Sequence, residues 1–548
     1  MVFVMLFLRI GVLAQSYHFD GVIPRKVLEN YLDRSISMEG LLNGRGDLDD
    51  NIRMLDHTGA KFIGRSICLW GGEANLLKNF ERARVQVPKV LSSDPDRILE
   101  ACIFEIVTPQ VDSVPVPGWA LKALGLRAEK RNFRYKDMLY TDGRHVGQWG
   151  RGGSVPDVSR METRLWFYFL AASYIDLGFE AIHYGQVELM NHNDPDLNYW
   201  SQVFAMARAY GKKHARRHIL LCDAHTPGGG FVKDGKLLLD FHAFPLRIME
   251  VDSVSAAGSA QPAKLELGFS DGLYRRSKGG LTPSGWSCDH LPYLVEFDNY
   301  GVSKGPGQPG QGHGGFDWIW GYDEISWFAH QPLQYRKDWL VYAWKWVRDV
   351  DSNAHLEMPG SRTETSPLDG HRWYHANNPS TATPDGLGDE EAIREIWLEQ
   401  RVTDLLSRMN VEEKIRQLDM YWGKEVANMG GHEASSWSEE KTAASLGTTG
   451  VGSVHDLYPL TADITNKIQR YAVEKTRLGI PVLFIEEGLH GYSGLGSTSF
   501  PIPLQIAAAW DTTLTYDIGR AIATETRAHG VNMLLGPVLC LPDRKSVV

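Results

Sequence analysis

Short apolar, β-branched runs alternate with longer stretches whose apolar positions recur every three or four residues, from about residue 17 to residue 375. The runs AKFIGRSICLW (60–70), ILEACIFEIVT (98–108), EAIHYGQVELM (180–190) and HILLCDAH (218–225) read as strands. So do KLLLDFHAF (236–244), KLELGFSDG (264–272), YLVEFDNYG (293–301) and HLEMPG (355–360). Between several of them SRMETRLWFYFLAASYIDLG, NYWSQVFAMARAYGKKHARR and QYRKDWLVYAWKWVRDV read as helices. Strand and helix in repeated alternation predict a parallel sheet covered by helices. The expected fold class is α/β, and about eight strands over roughly 350 residues fit a (β/α)8 TIM-like barrel with long loops. A doubly wound open sheet is the alternative, but no GxGxxG follows the first run, which weakens a nucleotide-binding reading.

The pattern then breaks. HANNPSTATPDGLGDEEA (375–392) is rich in Pro, Gly, Asn, Thr and Ser and carries no apolar period, so residues 376–396 are expected to be a linker. Beyond it helical spacing resumes, and Asn410 followed by Glu413 has the form of a capping box. A strand IPVLFIEEG (480–488), a helix around TLTYDIGRAIATETRAHG (513–530) and a strand VNMLLGPVLCL (531–541) follow. Residues 397–542 therefore read as a second α/β module holding only the opening strands of a sheet, an incomplete second (β/α) barrel fragment.

At 548 residues the chain is too long for one hydrophobic core. A net charge of −10 disfavours nucleic acid and anionic membrane surfaces as partners. Cys68, Cys102, Cys222, Cys288 and Cys540 are odd in number and lack CxxC spacing, which argues against a zinc site or a disulfide framework and for buried thiols. The N-terminal run MVFVMLFLRIGVLAQS ends in Val-Leu-Ala before Gln15 like a cleavable export signal, and residues 1–16 are assigned to it. A secreted or periplasmic location follows from that assignment. The run is too short to span a membrane.

Four ordered segments of the second module are familiar: RVTDLLSRMNVEEKIRQL, AVEKTRLGIPVLFIEEGLHG, FPIPLQIAAAWD and IGRAIATETRAHGVNMLLGPVL. From about residue 397 to 542 they resemble the start of the glycoside hydrolase family 3 barrel, the family of β-glucosidases and β-xylosidases. The resemblance implies a glycoside or oligosaccharide substrate and no cofactor. It also implies that an acidic residue ahead of the His-Gly pair reaches into the −1 sugar subsite. Glu487 matches that position, with Glu where many members have Asp, and His490 with Gly491 matches a turn. The family's nucleophile and general acid fall beyond Pro542, so this module is expected to be inactive alone. The closing residues 543–548, Asp-Arg-Lys-Ser-Val-Val, are what a common sequencing-library adapter encodes, so the natural chain is expected to continue.

Residues 17–375 match no family that can be named, and their chemistry must be sought where the strands end. Those ends carry Glu105, Gln186, Glu188, Asp223, His225, Asp240, His242, Asp271, Glu296 and Asp298, and the loop GYDEISWFAHQP adds Asp323, Glu324, Trp327 and His330. Such a rim suits sugar binding and acid/base hydrolysis, and the expected catalytic pair is Glu188 as acid/base with Glu296 as nucleophile or base. Glu105 and Glu324 are the alternates. Asp223, His225, Asp298 and Trp327 join Glu487 as expected substrate contacts. The two D-x-H pairs, Asp223 with His225 and Asp240 with His242, raise a Zn or Mn site as a further reading, but no metal is assigned. The alternative to a hydrolase is a non-catalytic sugar-binding domain with the tryptophans as a stacking platform.

Overall fold

Four-to-six-residue strands, buried on both faces, build the first part of the chain, in a computed structural model that describes residues 17–150, 152–251, 260–299, 319–365 and 373–537. The chain divides into two units, Tyr17–Glu399 and a second from Gln400 onward. In the first unit the strands are β1 (Ser35–Met38), β2 (Phe62–Ile67), β3 (Ile98–Cys102), β4 (Ala181–Gln186) and β5 (Leu221–His225). They continue as β6 (His242–Pro245), β7 (Tyr293–Glu296), β8 (Ala354–Leu356), β9 (Met358–Thr363) and β10 (Trp373–His375).

The order β10-β9-β1-β2-β3-β4-β5 forms one seven-stranded sheet, parallel except for β10, and β8-β7-β6 forms a parallel three-stranded sheet. Only Glu357 separates β8 from β9, and its N–H donates to Val295 O of β7 at 2.8 Å. On the other side Asp240 N donates to Cys222 O of β5 at 2.8 Å, two residues before β6 begins.

Helices α1 (Arg25–Leu32), α2 (Leu48–Thr58), α3 (Leu76–Ser93), α4 (Met161–Leu177), α5 (Asn198–His214), α6 (Glu324–His330) and α7 (Leu333–Val350) fill the connections. Local chemistry sets their ends. Asp47 caps α2 by accepting from Asp50 N, and Gly59 closes it at φ 76°, a left-handed turn that glycine adopts without strain. α4 is apolar nearly all round because it is buried nearly all round; Phe169 meets Phe80 of α3 and Trp119. α5 buries Trp200, Val203, Phe204, Ala207 and Gly211 on one face, and a Cβ at Gly211 would come within 2.9 Å of Leu220 Cβ.

Three sequence expectations change. The run 264–272 is not a sheet strand: only Ala263–Lys264 pairs, antiparallel with Met249–Glu250. The strand missing from the sequence reading is β1: SISM alternates polar and apolar residues but is only four residues long, and its serines are buried like its aliphatics, with Ser35 Oγ donating to Glu357. The run 236–244 contributes β6 only from His242, with Lys236–Leu237 in a separate short hairpin.

Residues 376–396 also differ from a solvated linker. Ala376, Asn377, Asp389 and Ile393 are fully buried, and Arg336 Nε donates to both oxygens of the Asp389 carboxylate, at 2.9 and 3.1 Å. Asn377, Asn378 and Thr383 spend their polar groups on Asp50 and Glu390. The composition that reads as a linker is here a polar loop tied down by hydrogen bonds to residues far away in sequence, Asp50 and Arg336 among them. The division falls instead within helix α8 (Glu390–Arg408), whose first half buries Ile393, Ile396 and Trp397 while Leu398, Val402 and Leu406 are exposed. Limited proteolysis is therefore expected to cut between about residues 401 and 410 and to spare 376–396. Early cleavage inside 376–396, read by mass spectrometry of the fragments, would contradict this packing.

The second unit starts with α9 (Val411–Arg416), where Asn410 and Glu413 form the expected capping box. Its sheet order is β11 (Met420–Trp422), β12 (Ser453–His455), β13 (Leu483–Glu487) and β14 (Met533–Leu535), all parallel. Helix α10 (Ala462–Lys475) packs Ile464, Ile468 and Ala472 on Val454 and Phe484. Helix α11 (Thr512–Ala528) buries only Thr526, and Trp510 beside it is 95% exposed. No helix among the described residues is long and apolar enough to cross a membrane.

Candidate active site

The C-terminal ends of the parallel strands of the first unit open into one cavity of about 900 Å³. Each strand or the loop after it brings a polar side chain: Glu39 after β1, Arg65 in β2, Glu105 after β3, Gln186 in β4, His225 in β5, Arg247 after β6, Asp298 after β7 and Arg362 in β9. A parallel ladder places all its strand ends on one side, so residues far apart in sequence converge there.

Beneath the cavity lies a buried ion cluster. Glu296 is 1% exposed and takes three donors: Arg65 through Nε at 2.7 Å and again through Nη2, Arg362 Nη1 at 2.9 Å, and His225 Nε2 at 3.0 Å. Burial opposes its charge, but the two guanidiniums prevail and hold the carboxyl well below its ordinary range. Burial keeps the His225 ring neutral, and donation from Nε2 leaves Nδ1 as the acceptor. Next to this cluster Glu100 and Asp223 meet carboxyl to carboxyl, with His183 Nδ1 2.7 Å from Asp223. Two adjoining carboxyls require a proton between them; burial pushes both well above the usual range, helped at Glu100 by the neighbouring Asp223 and opposed at Asp223 by the hydrogen bond with Glu100.

Glu357 completes the cluster with its carboxyl pushed up to about 8 by burial and by Glu296 and Glu100. Its folded value exceeds the ordinary 4.5, so the native state holds a proton the unfolded chain has lost, and stability must fall as pH rises from about 4.5 to about 8. The variant E357Q keeps the neutral shape and is expected to melt higher than the wild type at pH 8 but not at pH 5; equal shifts at both pH values would refute this proton assignment.

The wall above the cluster is different. Glu105 accepts from Gln186 N at 2.9 Å and Gln186 Nε2 at 3.0 Å, and burial raises its pKa. The approach requires Gly185, at φ 59°, because a Cβ there would stand 2.0 Å from Glu105 Oε2. Glu324 accepts from Ile248 N at 3.0 Å and Asp298 N at 2.9 Å, and burial brings its carboxyl to about 7. Asp323 caps α6 and is raised by burial to about 6. Neither Glu105 nor Glu324 forms an ion pair with Arg or Lys among the described residues. Of the other acids of the wall, Asp271 and Asp298 hold Arg247, Glu39 lies 3.9 Å from Arg362, and Asp323 accepts from Ser326 and Thr365.

Of the residues expected from sequence, Glu105, Gln186, His225, Asp271, Asp298, Asp323 and Glu324 line the cavity, and Glu188, Glu296, Asp223 and Trp327 do not. Glu188 sits in the helical turn Val187–Met190 and accepts from Gly228 N at 2.9 Å. Trp327 is fully buried, with Nε1 donating to Gln261 O, so it is core and not a sugar platform. The aromatic wall of the cavity consists of Trp70, which is exposed, and the half-buried Trp149 and Trp373: Trp70 and Trp149 meet edge to face at 5.3 Å, and Arg45 lies over Trp373 at 4.9 Å. The Trp-Gly-Gly step after β2 was the available signal for Trp70, since glycines let the chain turn and leave the ring at the rim.

The D-x-H pairs do not converge. Asp240 binds Arg208 at 2.6 Å and Cys222 N, His242 meets Thr226 Oγ1 at 3.1 Å, and Asp223 faces His183. Among the described residues one grouping has metal-ligand spacing, His57 with Glu390 and Glu391, but both Glu390 oxygens already receive Arg53.

In the second unit the two strand-end acids part ways. Glu486 is fully buried, binds Leu457 N and Tyr458 N, and is raised to about 7 by burial. Glu487 points outward, 38% exposed, 3.8 Å from His455 Nε2. His490 spends Nδ1 on Phe500 O at 2.8 Å, a turn role.

Comparison with known proteins shows what this part of the chain is similar to: residues 410–546 match the glycosyl hydrolase family 3 N terminal domain. A protein of Formosa agariphila that carries a beta-xylosidase name is 33% identical over 147 residues, 26% of this chain and 19% of that protein. The beta-xylosidase/alpha-L-arabinofuranosidase 2 of Medicago sativa is 40% identical over 75 residues, 11% of this chain and 10% of the relative. A protein of Aspergillus clavatus that carries the name beta-glucosidase I is 36% identical over 69 residues, 12% of this chain and 8% of its own. The chain thus spans less than a fifth of the length of these relatives.

Proposed function

We propose that this protein is a glycoside hydrolase acting on β-linked sugars of the glucoside or xyloside type. The match of residues 410–546 to the family 3 domain carries that reading. In the second unit Glu487, exposed at the end of β13, is the residue for accepting sugar hydroxyls.

The first unit supplies a second place for the chemistry. Its eight parallel segments, counting β8 and β9 as one, are read as a (β/α)8 barrel. The Glu357 link between the two sheets and the Asp240–Cys222 hydrogen bond support this. Its cavity holds Glu324 and Glu105, carboxyls that burial keeps protonated nearer neutrality than ordinary acids. A protonated acid for the leaving oxygen and a carboxyl partner are the minimum for glycosidic cleavage. Trp70, Trp149 and Trp373 offer apolar faces to sugar rings. Export agrees with the N-terminal apolar run ending at Ala14.

Turnover of a panel of chromogenic α- and β-glycosides and oligosaccharides by the full chain tests the reading. β-Selective turnover is expected. Saturable sugar binding without turnover would leave the first unit as a binding domain, and neither binding nor turnover would refute the proposal. The variant W70A is expected to raise KM about tenfold with kcat little changed, the loss of a stacking contact worth about 1.4 kcal/mol.

A further inference from the structure

Cys68 and Cys102 sit side by side at the upper ends of β2 and β3, each one residue past the paired Ile67 and Ala101. Their Sγ atoms are 3.0 Å apart, both thiols are free, and a disulfide needs about 2.05 Å, so the sulfurs must close by only about 1 Å. The surroundings are asymmetric. Cys68 lines the cavity and its Sγ lies 3.1 Å from Arg65 O, whereas Cys102 is buried behind it. Asn43 fixes the Cys68 backbone from both sides, its Oδ1 accepting from Cys68 N at 3.1 Å and its Nδ2 donating to Cys68 O at 2.5 Å. Two residues further along each strand stand Trp70 and Phe104, whose rings meet at 5.5 Å in the cavity wall.

We propose that Cys68 and Cys102 form a reversible disulfide, with Cys68 the entry point, which pins the base of this aromatic wall. In the first step the Cys68 thiolate attacks a small-molecule disulfide such as oxidised glutathione; an S–S bond forms to Cys68 and one glutathione thiolate leaves. The Cys102 thiolate then attacks Cys68 Sγ, breaking the mixed disulfide and releasing the second glutathione. Two protein thiols are oxidised by two electrons, the small-molecule disulfide is reduced to two thiols, and the two protein protons end on them. Burial pushes the Cys102 thiol well above its ordinary range, with the Arg65 guanidinium opposing that rise, which suits Cys102 to the second, resolving step and not to the first. An exported chain would meet the oxidising conditions under which such a bond persists.

The test equilibrates the full-length folded protein with defined ratios of reduced and oxidised glutathione, quenches with acid, then denatures, alkylates and maps the peptides by mass spectrometry. The expected result is a joined Cys68–Cys102 peptide pair, lighter than the two thiol peptides by two hydrogens, at ratios where Cys222 and Cys288 remain fully alkylated. Excess reductant should restore both thiols. In C68S, Cys102 should stay alkylated at every ratio, because the cavity-lining entry point is gone. Alkylation of Cys68 and Cys102 in the wild type to the same extent as Cys222 in fully oxidised glutathione would overturn the proposal. So would Cys68 halting as a glutathione adduct. The decisive measurement is on the wild type, so it stands even where a variant folds poorly.

Discussion

Replacing Glu105 or Glu324 by Gln is expected to lower kcat on a glycoside turned over in the first unit by about a thousandfold, the usual worth of a positioned acid or base. Each carboxyl reaches the wall on a rigid frame. Gln186 holds Glu105 with two hydrogen bonds, and two backbone amides hold Glu324. Gln can keep part of these contacts, so the fold should survive while the proton is lost. Glu324, near 7, is the better general acid, because it stays protonated where an ordinary carboxyl has ionised. Activity that needs this proton falls as pH rises through about 7. Near-wild-type rates in both variants, with normal circular dichroism, would remove the pair. By the same logic E188Q is expected to leave kcat within a few-fold, since Glu188 lies outside the cavity wall.

The largest effect on stability is expected from E296A, a loss of about 3–5 kcal/mol, because it strands buried cations without their anion. Arg65 and Arg362 are each less than a tenth exposed, and His225 also loses its acceptor. The Glu296 pKa is depressed in the folded state, so its contribution is fully present above the ordinary value of 4.5 and is lost as pH falls below it. Urea unfolding followed through the transition of the first unit measures this at neutral pH. A change under about 1 kcal/mol would mean that the cluster repacks or admits water. A double variant removing Arg65 as well should recover part of the loss, since neighbouring charges are not additive.

These two predictions separate roles that look alike in sequence. Glu296 and Glu105 both end apolar runs, LVEFDNYG and ILEACIFEIVT, and nothing in the runs says which carboxyl meets two guanidiniums. Their partners lie 231 residues away for Glu296 with Arg65 and 81 residues away for Glu105 with Gln186. The choice between a clamped anion and a cavity acid is made by those distant partners, through burial and charge together. Trp327 shows the same limit, since an aromatic-rich loop reads as a platform until the fold buries it against Trp339 and Tyr335.

What the sequence determined alone is local or periodic. The α/β class, the helices α4, α5 and α7, the Asn410–Glu413 cap and the family 3 likeness of residues 410–546 all follow from spacing and motif. Those signals come from residues three or four apart, or from a conserved order of short segments, and they need no knowledge of packing. Tertiary structure decided the rest. β1 is a strand because its serines and aliphatics are enclosed by β2 and β9, not because SISM prefers to be one. Residues 376–396 are ordered because distant Arg336, Asp50 and Arg53 bind the loop or the acids at its end. The cavity acids, the anion beneath them and the adjoining thiols exist only once parallel pairing brings the ends of separate strands within hydrogen-bonding reach, a long-range juxtaposition that no local pattern encodes.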